Sequence, residues 1–233
     1  MNNRKSFIIG IKSFKLSSRE KKFLKKYKPW GVILFSRNIK SIKQSHKLVS
    51  EIKKIFNDRK YPILIDQEGG RVNRLKDIVD LSYFTSEMFG NLYKKNKMLF
   101  NLNLRIFVDM TSFLLNQIGI NINTVPVLDL KYDKTNQVIG NRSFSKKPKV
   151  VNQIGNIFIK HFQKNCDVQC ETVLQSGGHL ATDFAEHSVV DCFNVDSQNV
   201  EELRKRTARV VNREKNNKPI LAVCNSMESR HVA

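Results

Sequence analysis

Asp66-Gln67-Glu68-Gly69-Gly70-Arg71, followed by Arg74, gathers charge and backbone freedom into one short stretch of the chain. The carboxylate of Asp66 comes directly after the apolar run Ile63 to Ile65. A buried strand would hold it, facing the strand's open end, and the glycine pair would let the backbone turn tightly beneath a ligand. Asp66 accepts hydrogen bonds from hydroxyls, and Arg71 and Arg74 offer planar forks to oxygens, or to Asp66 and Glu68. Such a set suits a sugar. An internally paired loop with no ligand is the other reading these residues allow.

Two further stretches share the pattern of polar residues after an apolar run. Ser36, Arg37 and Asn38 follow Gly31 to Phe35, and Asp129 and the run Ile139-Gly-Asn-Arg-Ser-Phe144 follow Asn121 to Val125. Arg142, beside Gly140 in a long loop, is placed to reach a carboxylate or an acetamido carbonyl, or to stay on the surface.

The elements that must position these residues are legible as alternating apolar runs and helical periods. Residues 7–11, 31–35, 63–65 and 121–125 are expected strands. Ser17 and Ser18 open a helix with Phe23, Leu24 and Tyr27 on one face, and Ser41 caps a second with Leu48, Val49, Ile52, Ile55 and Phe56. A long helical region is clearest where Leu104, Phe107, Val108, Thr111, Leu114, Leu115 and Ile118 form a stripe that ends at Gly119. Residues 129–145 form a long loop, and Pro148 to Phe162 is a helix with Val151, Ile154 and Phe158 inward. Residues 168–174, a helix near 200–211 and a strand over 219–224 continue the alternation. About six strand-then-helix units imply a parallel sheet covered by helices. A doubly wound sheet and a (β/α)8 barrel both fit, and ligands in either gather at the carboxyl ends of the strands.

The chain has 233 residues, 40% of them hydrophobic, which excludes a disordered chain, and only 15 Gly plus Pro, which excludes a collagenous one. No uninterrupted apolar run approaches the roughly 20 residues that span a bilayer, and the N-terminal apolar stretch is short for a signal peptide. A cytoplasmic protein with no membrane partner is expected. The net charge of +20 is unevenly placed: residues 1–165 carry 33 basic and 11 acidic residues, and residues 166–233 carry 8 and 10. The lysines are spread over helix faces without aromatic interleaving, so a solvated surface rather than a nucleic-acid partner is expected. All four cysteines follow residue 165. Cys166, Cys170, His179 and His187 make a weak zinc pattern because the two histidines are wider apart than zinc sites usually allow; free thiols and no metal are expected.

Four linked motifs resemble glycoside hydrolase family 3: Gly31 to Asn38, Ile65 to Val72 with Arg74, Val125 to Asp129, and Ile139 to Phe144. The likeness runs in order from Lys28 to Phe162 and is strongest to the family's single-domain bacterial β-N-acetylglucosaminidases of cell-wall recycling. The resemblance implies a (β/α)8 TIM-type barrel, a retaining mechanism with an aspartate nucleophile, and a mobile loop whose histidine is the general acid and base, in place of the two carboxylates usual among glycosidases. It implies no cofactor, a carbohydrate substrate (an N-acetylglucosamine-containing muropeptide) and a monomer. Position by position, Asp66 would grip sugar hydroxyls, and Arg74 and Arg142 would line the N-acetylglucosamine site.

Further on, the match thins. Lys160-His161-Phe162 imitates the start of the family's Lys-His-Phe-Pro-Gly-His-Gly motif, but it lies inside an amphipathic helix and is taken as helix surface. Ser176 to His187 aligns better, with two histidines eight residues apart. His187 is then the acid/base candidate, and Leu174 and Gln175 stand where the family has Lys-His. The expected organisation is therefore a single, C-terminally incomplete barrel domain over residues 1–233, of about six βα units. Its residues 166–233 are divergent or a frame-shifted reading of the gene, and the nucleophile is expected beyond the last residue. An inactive sugar-binding remnant is the competing expectation.

Overall fold

The computed structural model describes residues 4–131 and 139–165, and the short strands 169–170, 190–193 and 221–224. Each helix starts where a short polar side chain takes up free backbone N–H groups. Ser17 forms a reciprocal capping box with Glu20 ahead of α1 (Ser18–Tyr27), Ser41 accepts from the Gln44 amide ahead of α2 (Ile42–Ile55), and Thr85 caps α3 (Ser86–Lys95). The long helical region divides here. The Asn96 amide donates to Leu92 as α3 ends, and its side chain accepts from Leu99 to start α4 (Lys97–Ile118). Gly119, at φ 89°, ends α4 in the left-handed region as expected.

The strands are β1 (Lys5–Gly10), β2 (Pro29–Leu34), β3 (Ile63–Ile65), β4 (Ile122–Asn123), β5 (Gln169–Cys170), β6 (Val190–Phe193) and β7 (Leu221–Cys224). With α5 (Pro148–Asn165) between β4 and β5, the chain alternates strand and helix. All six ladders are parallel, in the order β5-β4-β3-β2-β1-β7-β6. Seven strands exceed the six expected because β6 is a four-residue run with Asp191 inside it, too short and too broken for periodicity to reveal. β4 is shorter than expected: Thr124 still donates to the Ile65 carbonyl, but Pro126 has no N–H with which to extend the ladder. Among the described residues no ladder joins β5 to β6.

Strand alternation divides the core. Val32, Leu34, Ile63 and Ile65 pack with Leu24 of α1, Leu48, Val49 and Ile52 of α2, and Leu115 and Ile118 of α4. The intervening residues Ile8, Ile33, Leu64 and Ile122, one from each of β1 to β4, cluster on the opposite face with Trp30 and Phe35 and no helix residue. A second helix-lined core joins Phe89 of α3, Phe100, Leu104 and Phe107 of α4, and Phe158 and Phe162 of α5. The ring centroids of Phe89 and Phe158 lie 5.0 Å apart, edge to face. Of the face expected on α1, only Leu24 is buried. Tyr27 stays exposed on the last turn, its ring 4.6 Å from Phe23. Cys170 lies in β5; Cys166, His179, His187 and the helix expected near 200–211 lie outside the described residues. The other zinc candidates therefore have no described geometry.

Candidate active site

β3 ends at Ile65, and the chain then enters the loop that concentrates the charge. Gln67 builds this loop from within. It is fully buried, its side-chain carbonyl accepts from the amides of Arg74 and Leu75, and its backbone N–H donates to Asn123 Oδ1 at 3.0 Å. Gly69 and Gly70 adopt φ of 83° and 57°. A Cβ on Gly69 would meet the Phe84 carbonyl oxygen at 2.3 Å, so the turn depends on glycine both for its dihedral and for its clearance.

Two ion pairs stand on this turn. Arg74 Nη2 donates to Asp66 Oδ2 at 3.2 Å, while the Thr124 hydroxyl, just past β4, donates to Asp66 Oδ1. Asp66 therefore has one protein donor on each oxygen and retains acceptor capacity on both. The Arg74 guanidinium also lies over the Phe35 ring, 5.3 Å from its centroid, at the end of β2. Arg142, from the short 3-10 turn Gly140–Arg142, reaches across 74 positions of sequence to fork Glu68, with Nε to Oε2 at 2.8 Å and Nη2 to Oε1 at 2.6 Å. The side chains of this pair are 9% and 4% exposed, so the pair is a buried one.

Burial pushes the Glu68 carboxyl above its ordinary range, with the Arg142 fork opposing it and the nearby Asp66 charge adding to it. Burial alone would pull Arg142 down, but its bonds and attraction to Glu68, with Asp129 and Asp66 behind, raise it. Asp66, Glu68, Asp129 and Arg142 thus form one electrostatic unit. Within it, Arg74 Nε and Gln67 Nε2 are buried donors with no acceptor among the described residues. Groups of this kind ask for an acceptor from a ligand or a water.

The structure brings Asp66 and Arg74, after β3, and Arg142, in the loop after β4, to the carboxyl-end side of neighbouring strands. Asp66 is partnered by Arg74 and Thr124, and Arg142 by Glu68. Arg37 and Asn38 serve the fold: Arg37 Nε and Asn38 Nδ2 both donate to the Ile11 carbonyl, and Asn38 Oδ1 accepts from the Phe35 amide. Sequence reasoning did not single out Thr124, because it fell inside the strand expected over 121–125, whereas β4 ends at Asn123. His161 sits in α5 beside the fully buried Phe162, consistent with an ordinary helix residue. The crevice beside the pairs, lined by Glu68, Gly70, Arg71, Asn141 and Arg142 among others, encloses essentially no water-sized space. A larger cavity of about 750 Å³ opens near Trp30, Lys53, Pro62 and Asn121. It lies at the opposite, N-terminal ends of β2 to β4, away from the ends where such sheets bind ligands, so the charged mouth is the candidate site. Among the described residues no cluster of His, Cys, Asp and Glu is arranged to hold a metal ion.

Residues 5–210 match the glycosyl hydrolase family 3 N terminal domain, and the chain belongs to that family. A β-hexosaminidase of Hydrogenovibrio crunogenus is 31% identical over 181 residues, which are 72% of this chain and 50% of that protein. One from Tolumonas auensis is 30% identical, covering 72% of this chain and 52% of its own length. Among solved structures, NagZ from Neisseria gonorrhoeae in complex with N-trifluoroacetyl-D-glucosamine superposes with a TM-score of 0.65 at 25% identity, over 96% of this chain and 64% of that one. The chain spans about half the length of these two curated relatives.

Proposed function

We propose that this chain carries the sugar-recognition part of a retaining β-N-acetylhexosaminidase acting on terminal β-linked N-acetylglucosamine, as in peptidoglycan-derived muropeptides. The observation that carries the reading is Asp66. It is fixed by Thr124 and Arg74 at the end of β3, with acceptor capacity left on both oxygens. A pyranose presents vicinal hydroxyls to such a carboxylate. The family membership and the hexosaminidase relatives support the substrate class. The face made by Ile8, Ile33, Leu64 and Ile122 supports a sheet curved on itself toward a barrel, because it is buried with no helix residue among the described residues in its cluster.

The acid/base role proposed for His187, which lies outside the described residues, rests on histidine spacing alone, and no described residue is assigned as nucleophile. The chain as it stands is therefore proposed to bind the sugar and to turn over slowly or not at all. Calorimetric titration with N-acetylglucosamine should give saturable binding, weakened at least about tenfold by Asp66→Asn, which loses a charge-assisted acceptor. Absence of saturable binding, or equal binding by Asp66→Asn, overturns the reading. Hydrolysis of an aryl N-acetyl-β-glucosaminide, with product anomers followed by NMR, reports catalysis separately.

A further inference from the structure

The least expected surface of the molecule is the outer side of α4. Five of the seven large apolar residues that the described chain exposes lie on this one helix: Met98 (75% exposed), Leu99, Leu102, Ile106 and Phe113 (60%). Leu99, Leu102, Ile106 and Phe113 follow spacings of three, four and seven residues, so they form a ridge along the helix. The opposite stripe, from Phe100 through Leu104 and Phe107 to Ile118, is the core-facing one. α4 is 22 residues long with a mean hydropathy of 1.3 over its most apolar stretch, long and apolar enough to cross a membrane, yet it is locked into the fold through its inner face. An apolar ridge on a protein of this charge calls for a partner.

The charge around the ridge says which. α4 packs against α2, α3 and α5. Together these four helices carry eleven Lys and Arg and only three carboxylates. Each carboxylate is already spent in an ion pair: Glu51 with Lys21, Glu87 with Lys131 and Asp109 with Arg105. Lys43, Lys47 and Lys54 on α2, Lys94 and Lys95 on α3, Lys97 on α4 itself, and Lys149, Lys160 and Lys164 on α5 are exposed on α4 and the helices packed against it. A second copy docking ridge to ridge would bring these lysine fields together, in a chain of net charge +20, and like charges facing one another oppose such an interface. A nucleic acid would satisfy the lysines but has no use for an aliphatic and phenyl ridge between them. An anionic lipid surface satisfies both, taking the ridge into the acyl boundary and the lysines against its headgroups.

We propose that the outer face of α4 docks this protein reversibly on an anionic phospholipid bilayer, lying on it without spanning it. This departs from the expectation of no membrane partner, and it stands independently of the glycosidase reading. The test is co-sedimentation of the whole chain with large vesicles of phosphatidylcholine, alone or mixed with an equal part of phosphatidylglycerol. The chain should pellet with the mixed vesicles and not with the neutral ones, and salt should release it. Leu102→Ser, Ile106→Ser and Phe113→Ser together should weaken binding at least about tenfold, since each removes apolar area from the boundary. Replacing Lys94 and Lys95 by Gln should weaken it by about fivefold per charge. Hydrogen exchange of the unaltered chain on mixed vesicles should slow across residues 98–113, a readout that does not depend on any variant folding. Failure to pellet with mixed vesicles, equal pelleting by the Ser variant, unchanged exchange over α4, a dimer that the Ser variant dissociates, or DNA that competes the chain off vesicles each overturns the proposal.

Discussion

The buried Glu68–Arg142 pair is the residue-level feature on which most of the site depends. Removing one partner leaves the other charge desolvated with nothing to offset it, a cost of about 3–5 kcal/mol. Arg142→Ala is therefore expected to lower stability by that order in urea denaturation, and Arg142→Lys by less, because it keeps the charge but loses the fork. The double variant Glu68→Gln, Arg142→Met should recover most of the loss, showing that the uncompensated charge sets the cost. Thr124→Val should cost about 1.5–3 kcal/mol, the range for a hydrogen bond to a charged group. It should also weaken N-acetylglucosamine binding by freeing Asp66 to turn, which calorimetry would detect. Asp66, Arg74 and Arg142 were legible in the sequence as candidates because of their types and their place after apolar runs. Their partners were not, since the fork joins residues 74 positions apart and only folding sets that distance.

At the level of elements, the caps and one close helix–loop contact set the tolerances. The Ser17–Glu20 box opens α1, and Ser17→Ala is expected to cost about 1 kcal/mol in thermal unfolding. Burial tends to raise the Glu20 carboxyl, but its bonds from the Lys12 and Ser17 amides and the Ser17 hydroxyl outweigh this and hold it below the ordinary 4.5. A depressed carboxylate gives stability that is present above the unfolded value and lost as pH falls through the folded one. Glu20→Gln should therefore lower Tm at neutral pH, where the carboxylate contributes, and flatten the fall of the Tm-against-pH curve below about 4.5, where the variant and the parent converge. Glu68 works in the opposite sense: its raised carboxyl contributes most below the ordinary value, and the contribution fades as pH rises through the folded one. Gly90, inside α3, is a second fixed point. A Cβ there would lie 1.8 Å from the Phe144 carbonyl oxygen, in the loop that carries Arg142. Alanine is the better helix former by about 1 kcal/mol, but a clash with backbone costs about 1–3 kcal/mol or more. Gly90→Ala should thus destabilise the chain and weaken sugar binding, an outcome that a propensity argument alone gets backwards.

For the whole molecule the question is how the parallel sheet disposes of its second apolar face. Leu64, on the face proposed to line a sheet curved on itself, is 1% exposed. Leu64→Ala should then cost about 2–5 kcal/mol in urea denaturation, as for a core leucine. Phe113→Ser, on the outer ridge, should stay within about 0.5 kcal/mol. A near-zero cost at Leu64 would count against the curved arrangement. Charge also acts at this scale. Of the 33 basic residues among the first 165 positions, eleven lie on α4 and the three helices packed against it.

The sequence by itself determined the elements and their order. Capping residues, helical stripes and short apolar runs are local signals, and they placed α1, α2, α5 and the strands β1 to β3 within a few residues. It also determined the family, because the motif residues sit at strand ends where the chain must keep them. It did not determine that Asn96 divides the long helical region, since an asparagine inside a helical pattern shows its capping role only when its side chain meets a particular amide. It did mark the inner face of α4, since the stripe from Leu104 to Ile118 is the buried one, but not that the outer face stays exposed while carrying Leu99, Leu102, Ile106 and Phe113, which only packing against α2, α3 and α5 decides. The pairing of Arg142 with Glu68 and of Thr124 with Asp66 likewise belonged to tertiary structure, because a charge or hydroxyl finds its partner by distance in space, which spacing along the chain does not encode.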